Sequence, residues 1–462
     1  MPFDPSSFRE YDIRGVADRD LDDATVTAIG VAFARRAYAH GNTIVVGRDC
    51  RLHSDRLFAA LVRGLRSVCQ VIDIGVGPTP LLYFAEKHLA PAAAVMITGS
   101  HNPAEDNGFK LLLNHASFFG DNIASLRDDV TALLAAPLPE LPVVGTLTER
   151  DVRAEYLDAA TAGILLGPRR MKVVVDAGNG AGGPLAVALY RRLGFEVVPL
   201  YCDMDGRFPN HHPDPTIAAN LHDLIATVAR EGAELGIALD GDADRVGAVD
   251  ASGRILWGDQ LMILFGKAIL AEHPGARFVG EVKCSQAMYD ELNHAGGHAE
   301  MWKVGHSLIK TRMKETGALL AGEMSGHMFF AHRWFGFDDA MYAGARLLEL
   351  LSRGTATLKQ RADELPVLAS TPELRIPCPD LIKFAVVAAV TKTLRARSDV
   401  RDVIDIDGVR AIWPHGWGLV RASNTQPALV MRCEANDEAA LLKIKTLLEQ
   451  TIADARRMVE AP

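Results

Sequence analysis

The 462-residue chain lacks most of the features that mark secreted, membrane and nucleic-acid-binding proteins. It has 49 basic against 58 acidic residues, and the net charge of −9 disfavours binding to nucleic acid or to anionic lipid. No apolar run approaches the roughly 18 residues of a membrane span. Residues 1–15 contain neither the basic nor the apolar region of a signal peptide. We therefore expect a soluble, cytoplasmic protein with no nucleic-acid or membrane partner.

The cysteines are also few and widely spaced, and none of the six forms a Cys-x-x-Cys pair. Six cysteines could form three disulfides, but 48% of the residues are hydrophobic, so a core of this size needs no covalent cross-links. Reduced thiols are the favoured interpretation. The length predicts two to four domains, because a single core stops growing well before this size.

Short β-branched runs alternate with segments of helical periodicity along most of the chain. Strands are predicted within 42–49, 92–100, 171–180, 195–200, 233–244 and 277–283, a helix over 55–68, and a last helix over 436–458. The last helix has Leu441, Ile444, Leu448, Ile452 and Ala455 on one face. This alternation predicts mixed sheets covered by helices, with binding loops at the carboxyl ends of strands. Pro-rich segments at 133–151 and 362–380 indicate boundaries between domains.

Three aspartates, Asp240, Asp242 and Asp244, alternate in "LDGDADR" directly after an apolar run. Three carboxylates in one loop repel one another unless a cation is bound, and carboxylate oxygens suit Mg²⁺. The glycine and glutamate of an EF-hand are missing from their expected positions. A solvated acidic turn is the alternative, but it fits poorly beside "LGIAL". We predict a magnesium site.

Two further loops could bind a phosphorylated sugar. In "GEMSGH", Glu323, Ser325 and His327 alternate and could line a cleft, although a structural turn is an equal alternative. In "RASNT", Arg421, Ser423, Asn424 and Thr425 form a compact donor set that could bind phosphate, or simply a polar hairpin turn.

Ser100 stands in "TGSHNP", a turn with no Gly-x-Ser-x-Gly pattern around it. The serine could serve the turn alone. A magnesium loop elsewhere in the chain suggests instead that its hydroxyl carries a phosphoryl group, whose charge the metal would balance.

Taken together, the motifs "YDIRG", "TGSHNP", "NGFK", "DGDADR", "GEMSGH" and "RASNT" occur in one order over nearly the whole chain. In this respect the chain resembles the α-D-phosphohexomutase superfamily, and within it the bacterial phosphomannomutase/phosphoglucomutase branch. The glucosamine-phosphate branch typically reads "GEQSGH" and "RPSGTEP" at the last two motifs. The commoner serine loop of the family is "TASHNP"; Gly99 in this chain is expected to add backbone freedom.

The resemblance implies three related α/β domains and a smaller C-terminal α+β domain around a central cleft. The predicted ranges are 1–147 with the serine loop, 148–250 with the metal loop, 251–366 with the sugar loop and 367–462 with the phosphate loop. It also implies that Ser100 exchanges a phosphoryl group with a hexose 1- or 6-phosphate through a hexose 1,6-bisphosphate that reorients in the cleft. Mg²⁺ and glucose 1,6-bisphosphate, as activator, are the expected cofactors, and a monomer is expected.

The resemblance assigns the residues to roles. Catalytic roles are expected for Ser100, His101, Lys110, Arg14, Arg245 and His327, with Asn102 beside His101 positioning the serine loop. Metal binding is expected for Asp240, Asp242, Asp244 and the phosphorylated Ser100. Substrate binding is expected for Tyr11, Lys283, His306, Glu323, Ser325, Arg421, Ser423, Asn424 and Thr425.

Specificity follows from where the sugar is held. Glucose and mannose differ only at C2, so a site that binds the hydroxyls at C3 and C4 should accept both. Three alternatives stay open: a phosphatase that uses the same phosphoserine, a mutase specialised for glucosamine phosphate, and a non-catalytic sugar-phosphate sensor.

Overall fold

The computed structural model describes residues 4–424 and 426–460. The N-terminal α/β unit is built on a seven-stranded sheet in the order β1-β5-β4-β2-β3-β7, with β6 paired to β5. Its strands are β1 (Ile13–Val16), β2 (Thr43–Arg48), β3 (Gln70–Val76), β4 (Ala93–Ile97), β5 (Asp106–Leu113), β6 (Ala116–Ser117) and β7 (Leu147–Glu149). Its helices are α1 (Ala17–Asp20), α2 (Asp23–Ala37), α3 (Ser54–Leu65), α4 (Thr79–Leu89) and α5 (Asp121–Leu133). Strand β2 is parallel to β3 and β4, so the loops after β2 and β4 leave the same edge of the sheet.

The second unit has a five-stranded sheet in the order β12-β11-β10-β8-β9. Its strands are β8 (Lys172–Asp176), β9 (Glu196–Leu200), β10 (Leu235–Leu239), β11 (Val246–Asp250) and β12 (Ile255–Leu256). Its helices are α6 (Arg153–Ala162), α7 (Gly183–Arg192) and α8 (His222–Glu231). The apolar run "LGIAL" is β10, fully buried, and the aspartate loop is its turn into β11.

The third unit has a four-stranded sheet in the order β14-β13-β15-β16. Its strands are β13 (Arg277–Glu281), β14 (His298–Trp302), β15 (Leu320–Gly322) and β16 (Met328–Phe330). Its helices are α9 (Gly258–Glu272), α10 (Gln286–His294), α11 (His306–Thr316), α12 (Ala340–Ser352) and α13 (Leu358–Asp363). Strands β13 and β15 are parallel, so the Lys283 loop and the "GEMSGH" loop leave the same edge.

The last unit is a six-stranded sheet in the order β17-β22-β21-β20-β19, with β18 paired to β22, and two helices. Its strands are β17 (Ala369–Ser370), β18 (Leu374–Pro377), β19 (Asp402–Ile404), β20 (Val409–Trp413), β21 (Gly416–Ala422) and β22 (Ala428–Ala435). Its helices are α14 (Asp380–Arg395) and α15 (Glu438–Glu460). The five predicted apolar residues of α15 are all buried, and Asp437 accepts a hydrogen bond from the Ala440 amide at the start of this helix.

The four sheets confirm the predicted fold class of three α/β units and a smaller C-terminal unit. The exact domain boundaries stay a prediction: strand β7 begins at position 147 and continues past it, and β12, which pairs with β11 in the second sheet, lies beyond position 250. One apolar cluster runs through the first three units, whereas the last unit has a core of its own. The last unit packs on the third through Val282, Trp417 and Leu419. Within the described part of the chain, all helices are too short or too polar to cross a membrane.

Candidate active site

Ser100 lies in the turn between β4 and β5, with 2% of its surface exposed. Its backbone is left-handed, with φ of 50°, a conformation that costs a serine energy and is held by its surroundings. The Ser100 amide donates to Thr98 Oγ1 at 2.8 Å. The Ser100 Oγ lies 3.1 Å from His101 Nδ1 and 3.3 Å from Asp240 Oδ2. The hydroxyl therefore faces the aspartate loop of the second unit.

The residues beside Ser100 connect its loop to β1. Arg14 Nη1 donates to Asn102 Oδ1 at 3.0 Å, and Arg14 Nε donates to Asp12 Oδ2 at 2.8 Å. Burial, together with Arg245 and Arg14, holds the pKa of His101 well below its usual value. His101 is therefore a neutral neighbour of the serine at physiological pH.

The three aspartates converge as predicted. All are buried, and one carboxylate oxygen from each lies within 4.8 Å of the others. Asp240 Oδ1 accepts hydrogen bonds from the Asp244 and Arg245 amides, at 3.0 and 3.1 Å. Lys110, on β5, donates to Asp242 Oδ2 at 2.6 Å and to Asp244 Oδ2 at 2.5 Å. Lys110 thus joins the first unit to the aspartate loop.

These carboxylates fit a divalent cation. Asp242 Oδ1 is buried and has no hydrogen-bond partner among the described residues. Burial and the neighbouring Asp244 and Asp242 carboxylates raise the pKa of Asp240 well above its usual value. Burial has the same tendency at Asp244, but Lys110 and His327 outweigh it and hold that pKa low. A hard cation with oxygen ligands would relieve the crowding of charge at Asp240 and engage the unpartnered oxygen of Asp242.

His327 links the third unit to the same aspartates. Its Nε2 lies 3.2 Å from Asp244 Oδ1, and its Nδ1 lies 2.6 Å from Glu323 Oε2. Burial opposes the charged imidazole, but Asp244 outweighs it and the pKa of His327 is raised to about 9. Arg245 Nε lies 3.3 Å from His327 Nε2. The second and third units therefore meet at His327 and Arg245, two residues for which catalytic roles were predicted.

Glu323 and Ser325 lie in the turn between β15 and β16. Glu323 Oε1 accepts a hydrogen bond from the Gly305 amide at 2.7 Å, and Ser325 Oγ donates to Glu323 Oε2 at 3.4 Å. Burial opposes the charge on Glu323, but His327 and Lys283 outweigh it and lower its pKa to about 2. Glu323 is therefore a charged acceptor at the predicted sugar loop.

His306 begins α11, with its ring between those of Tyr11 and His327 at centroid distances of 6.3 and 5.9 Å. Burial, with the cations Lys310 and Lys110, holds its pKa well below the usual value. Both ring nitrogens lack a hydrogen-bond partner within the described residues, and Nδ1 lies 3.7 Å from Asp338 Oδ2. A neutral imidazole thus has hydrogen-bonding capacity to spare in the cleft.

The phosphate loop follows β21 in the last unit. Arg421 Nε donates to Asp407 Oδ2 at 3.1 Å, and Ser423 Oγ accepts from the Gln426 amide at 3.2 Å. Asn424 Nδ2 donates to the Tyr11 hydroxyl at 2.6 Å, which in turn donates to Val304 O at 2.8 Å. Tyr11 therefore joins the first, third and last units. Thr425 lies outside the described residues.

Lys283 follows β13 and donates from Nζ to Glu373 Oε2 at 3.0 Å. Burial opposes its charge, but Glu373 and Glu281 outweigh it and raise its pKa. Arg410 and Arg432 of the last unit donate to the backbone carbonyls of residues 282–284. The position of Lys283 therefore depends on the last unit.

The structure brings together all the predicted site residues that it describes. Sequence reasoning missed the residues that support them, chiefly Arg51, Thr79, Lys383, Asp407 and Arg410. Thr79 donates through Oγ1 to Asp242 Oδ2 at 2.5 Å. The signal for Arg51 was its place in the loop directly after a buried parallel strand; no comparable signal marks the others.

The comparisons with known proteins identify the family. Four family models match in succession: the phosphoglucomutase/phosphomannomutase alpha/beta/alpha domains I, II and III at residues 5–133, 154–253 and 257–368, and the C-terminal domain at 373–450. Fold, site and matches define an enzyme of the mutase class. More narrowly, the chain belongs to the phosphoglucomutase/phosphomannomutase family.

Individual relatives span almost the whole chain. The phosphomannomutase/phosphoglucomutase of Pseudomonas aeruginosa is 45% identical over 449 residues, covering 97% of this chain and 95% of the relative. The phosphoglucomutase of Neisseria meningitidis is 44% identical, covering 96% of each. Among solved structures, a phosphoglucomutase/phosphomannomutase family protein of Burkholderia thailandensis superposes with a TM-score of 0.89 at 40% identity, covering 98% of both chains.

Proposed function

We propose that the protein interconverts hexose 1-phosphates and hexose 6-phosphates, with glucose and mannose phosphates as substrates. The observation that carries the proposal is the approach of Ser100 Oγ to within 3.3 Å of Asp240 Oδ2, beside a buried group of three carboxylates. The names of the relatives, which cover almost the whole chain, support the same activity.

The chemistry proposed for Ser100 is a reversible phosphoryl transfer. The free hydroxyl oxygen of the substrate forms a bond to the phosphorus on Ser100, and the Ser100 Oγ–P bond breaks. The resulting hexose 1,6-bisphosphate reorients and returns its other phosphoryl group to Ser100. Lys110 and His327, which both contact Asp244, are the candidates for proton handling at the attacking and leaving oxygens: the one that is unprotonated takes the hydroxyl proton, and the other gives a proton to Ser100 Oγ. Arg14 and Arg245 add positive charge near the transferring group.

A magnesium ion is the proposed cofactor. Asp240, Asp242, Asp244 and an oxygen of the phosphorylated Ser100 would hold it. When bound, such an ion acts as a Lewis acid that offsets negative charge on the transferring phosphoryl group. Glucose 1,6-bisphosphate is the proposed activator, because it can load an unphosphorylated Ser100.

Substrate binding is proposed to use two loops. The phosphate that is not reacting would be bound by Arg421, Ser423, Asn424 and Thr425, with Tyr11 and Lys283 beside them. Glu323 and Ser325 would accept and donate hydrogen bonds at the sugar hydroxyls of C3 and C4, and His306 would assist. His101 would position the serine. Because glucose and mannose share C3 and C4, we expect both to be turned over.

A coupled assay with glucose 1-, mannose 1- and glucosamine 1-phosphate, with and without Mg²⁺ and the bisphosphate, tests the activity. Ser100→Ala should abolish turnover and the phosphoryl adduct seen by intact mass, whereas the control Ser117→Ala should retain both. Wild-type turnover in Ser100→Ala would contradict the mechanism. Release of inorganic phosphate without isomerisation would favour a phosphatase, and turnover of glucosamine 1-phosphate alone would narrow the substrate.

Two further expectations are that the protein is a monomer and that it is cytoplasmic. The first follows the resemblance to the bacterial branch of the family, and the second follows the sequence features described above. Light scattering coupled to gel filtration should give the mass of one 49.9 kDa chain, and cell fractionation should recover activity without membranes. A dimer mass or membrane-bound activity would contradict them.

A further inference from the structure

Arg51 lies beneath the serine loop, where its side chain has no exposed surface. The guanidinium donates to four backbone carbonyls of this loop: Ser100 O at 2.9 Å, Asn102 O at 2.6 Å, Pro103 O at 2.5 Å and Asp106 O at 2.9 Å. Its Nε lies 3.3 Å from Asp49 Oδ2. One buried cation thus holds both ends and the middle of the turn.

Few side chains could replace it. A turn that points several carbonyls into the protein needs a donor for each of them, because a buried unpaired carbonyl is costly. Arginine offers five N–H groups in a planar fork, whereas lysine offers three from one atom. The two terminal nitrogens of the guanidinium divide the four carbonyls between them: Nη2 donates to residues 100 and 102, and Nη1 donates to residues 103 and 106.

Gly99 makes room for this arrangement. A Cβ at Gly99 would lie 2.6 Å from Arg51 Cζ and 2.9 Å from Asp106 O. We expected Gly99 to supply backbone freedom, but that reason is wrong. The left-handed residue of the turn is Ser100, and the φ angle of Gly99 does not lie in the positive range that favours glycine. The missing side chain provides space for the guanidinium.

The second unit packs on the other side of the same group. The Arg51 Cζ lies 5.0 Å from the centroid of the Phe208 ring. Gly241, in the aspartate loop, approaches the Ser100 carbonyl so closely that a Cβ there would overlap it. The Ser100 carbonyl is therefore fixed between Arg51 and the loop that carries Asp240 and Asp242.

We propose that Arg51 is a positioning residue for phosphoryl transfer, which sets the distance between Ser100 Oγ and the aspartate loop by binding the carbonyls of the serine loop. This inference rests on the proposed function, since it assumes that Ser100 carries the phosphoryl group. Arg51 itself reaches no cleft, because its side chain is fully buried. Its removal should therefore slow transfer to and from Ser100 and leave sugar binding almost intact.

Arg51→Lys tests the proposal, with Arg48→Lys as the matched control. Arg48 is the last residue of β2, the strand that precedes the loop with Arg51, but it pairs with Asp55 and Asp73, away from the serine loop. The measurements are kcat and KM for glucose 1-phosphate, and the rate at which glucose 1,6-bisphosphate loads unphosphorylated Ser100, followed by quenched intact mass. Because displacements near 1 Å can cost about 100-fold in rate, we expect Arg51→Lys to lose about 30- to 100-fold in kcat and in loading, with KM within about threefold.

Gly99→Val is the second variant, because it keeps every donor of Arg51 and places a branched side chain against the guanidinium, which is more than the alanine of the commoner serine loop would add. It should also slow loading, and by a smaller factor in the Arg51→Lys background, where less of the fork remains to be displaced. Wild-type loading in a folded Arg51→Lys overturns the inference. If Arg51→Lys fails to fold, loading by Gly99→Val decides, and failure of both to fold makes Arg51 a general stabiliser and also overturns it. An inactive wild-type enzyme would instead refute the proposed function.

Discussion

Replacing Arg410 by methionine should loosen the last unit from the third. Arg410 is fully buried and donates to Val282 O at 2.7 Å, to Cys284 O at 2.8 Å and to Gln286 Oε1 at 3.1 Å. Its guanidinium lies 3.6 Å from the centroid of the Trp417 ring. Arg410→Met removes every one of these contacts and leaves two buried carbonyls without a donor.

The size of the destabilisation caused by Arg410→Met follows from two opposing contributions to the free energy of unfolding. Two unpaired carbonyls cost about 2 kcal/mol each, and the lost stacking on Trp417 costs about 1–2 kcal/mol more. Against this, burial lowers the pKa of Arg410 to about 10 from its ordinary 12.5. That shift corresponds to a cost of about 3 kcal/mol for burying the charge, which methionine avoids. The net destabilisation of the docked last unit is therefore about 2–3 kcal/mol.

Two measurements check the value. The free energy of unfolding of the last unit, followed in urea, should fall by this amount, and amide hydrogen exchange should accelerate in residues 282–286. Arg395→Met is the matched control, because Arg395 is a half-exposed partner of Asp405 and its loss should change stability by less than about 1 kcal/mol. Unchanged exchange at residues 282–286 in Arg410→Met would refute the reasoning.

Three other changes have defined outcomes. Asp242→Asn should weaken Mg²⁺ binding at least tenfold by calorimetry, because it removes a charged ligand; unchanged affinity would place the metal elsewhere. Lys383→Met removes the donor to Ser423 O at 2.6 Å, so KM for glucose 1-phosphate should rise about tenfold, equivalent to about 1.4 kcal/mol, with kcat little changed. Burial and Arg346 lower the pKa of His332 to about 4. The neutral, buried His332 therefore contributes its full stability above about pH 6.5, the ordinary pKa, and this contribution is lost as the pH falls through about 4. Between pH 7 and pH 5 the free energy of unfolding of the wild type should therefore fall by about 1–2 kcal/mol more than that of His332→Gln, as measured by thermal unfolding.

The sequence predicted the loops of this site better than it predicted their supports. Asp240, Asp242 and Asp244 were identifiable because three alternating carboxylates after a buried strand are unfavourable without a cation. The apolar face of the last helix was identifiable because its period is local. Arg410 was not, since an arginine in a strand is usually exposed and its partners lie 124–128 residues away. The sequence drew attention to Gly99, but the reason for a glycine at this position is the space that Arg51 needs, and only the tertiary structure brings Arg51 near.

Arg51, Lys383 and Arg410 share one role in the described structure. Each is a buried cation bound to carbonyls of a loop that carries proposed site residues: the serine loop, the phosphate loop and the Lys283 loop, respectively. A neutral donor would satisfy one or two carbonyls, whereas a guanidinium or ammonium group can satisfy several. Arg51 and Lys383 also contact the carboxylates of Asp49 and Asp380, which offset their charge locally. These buried cations therefore act by positioning the loops, and the attraction of an anionic sugar phosphate falls to the residues proposed to line the cleft.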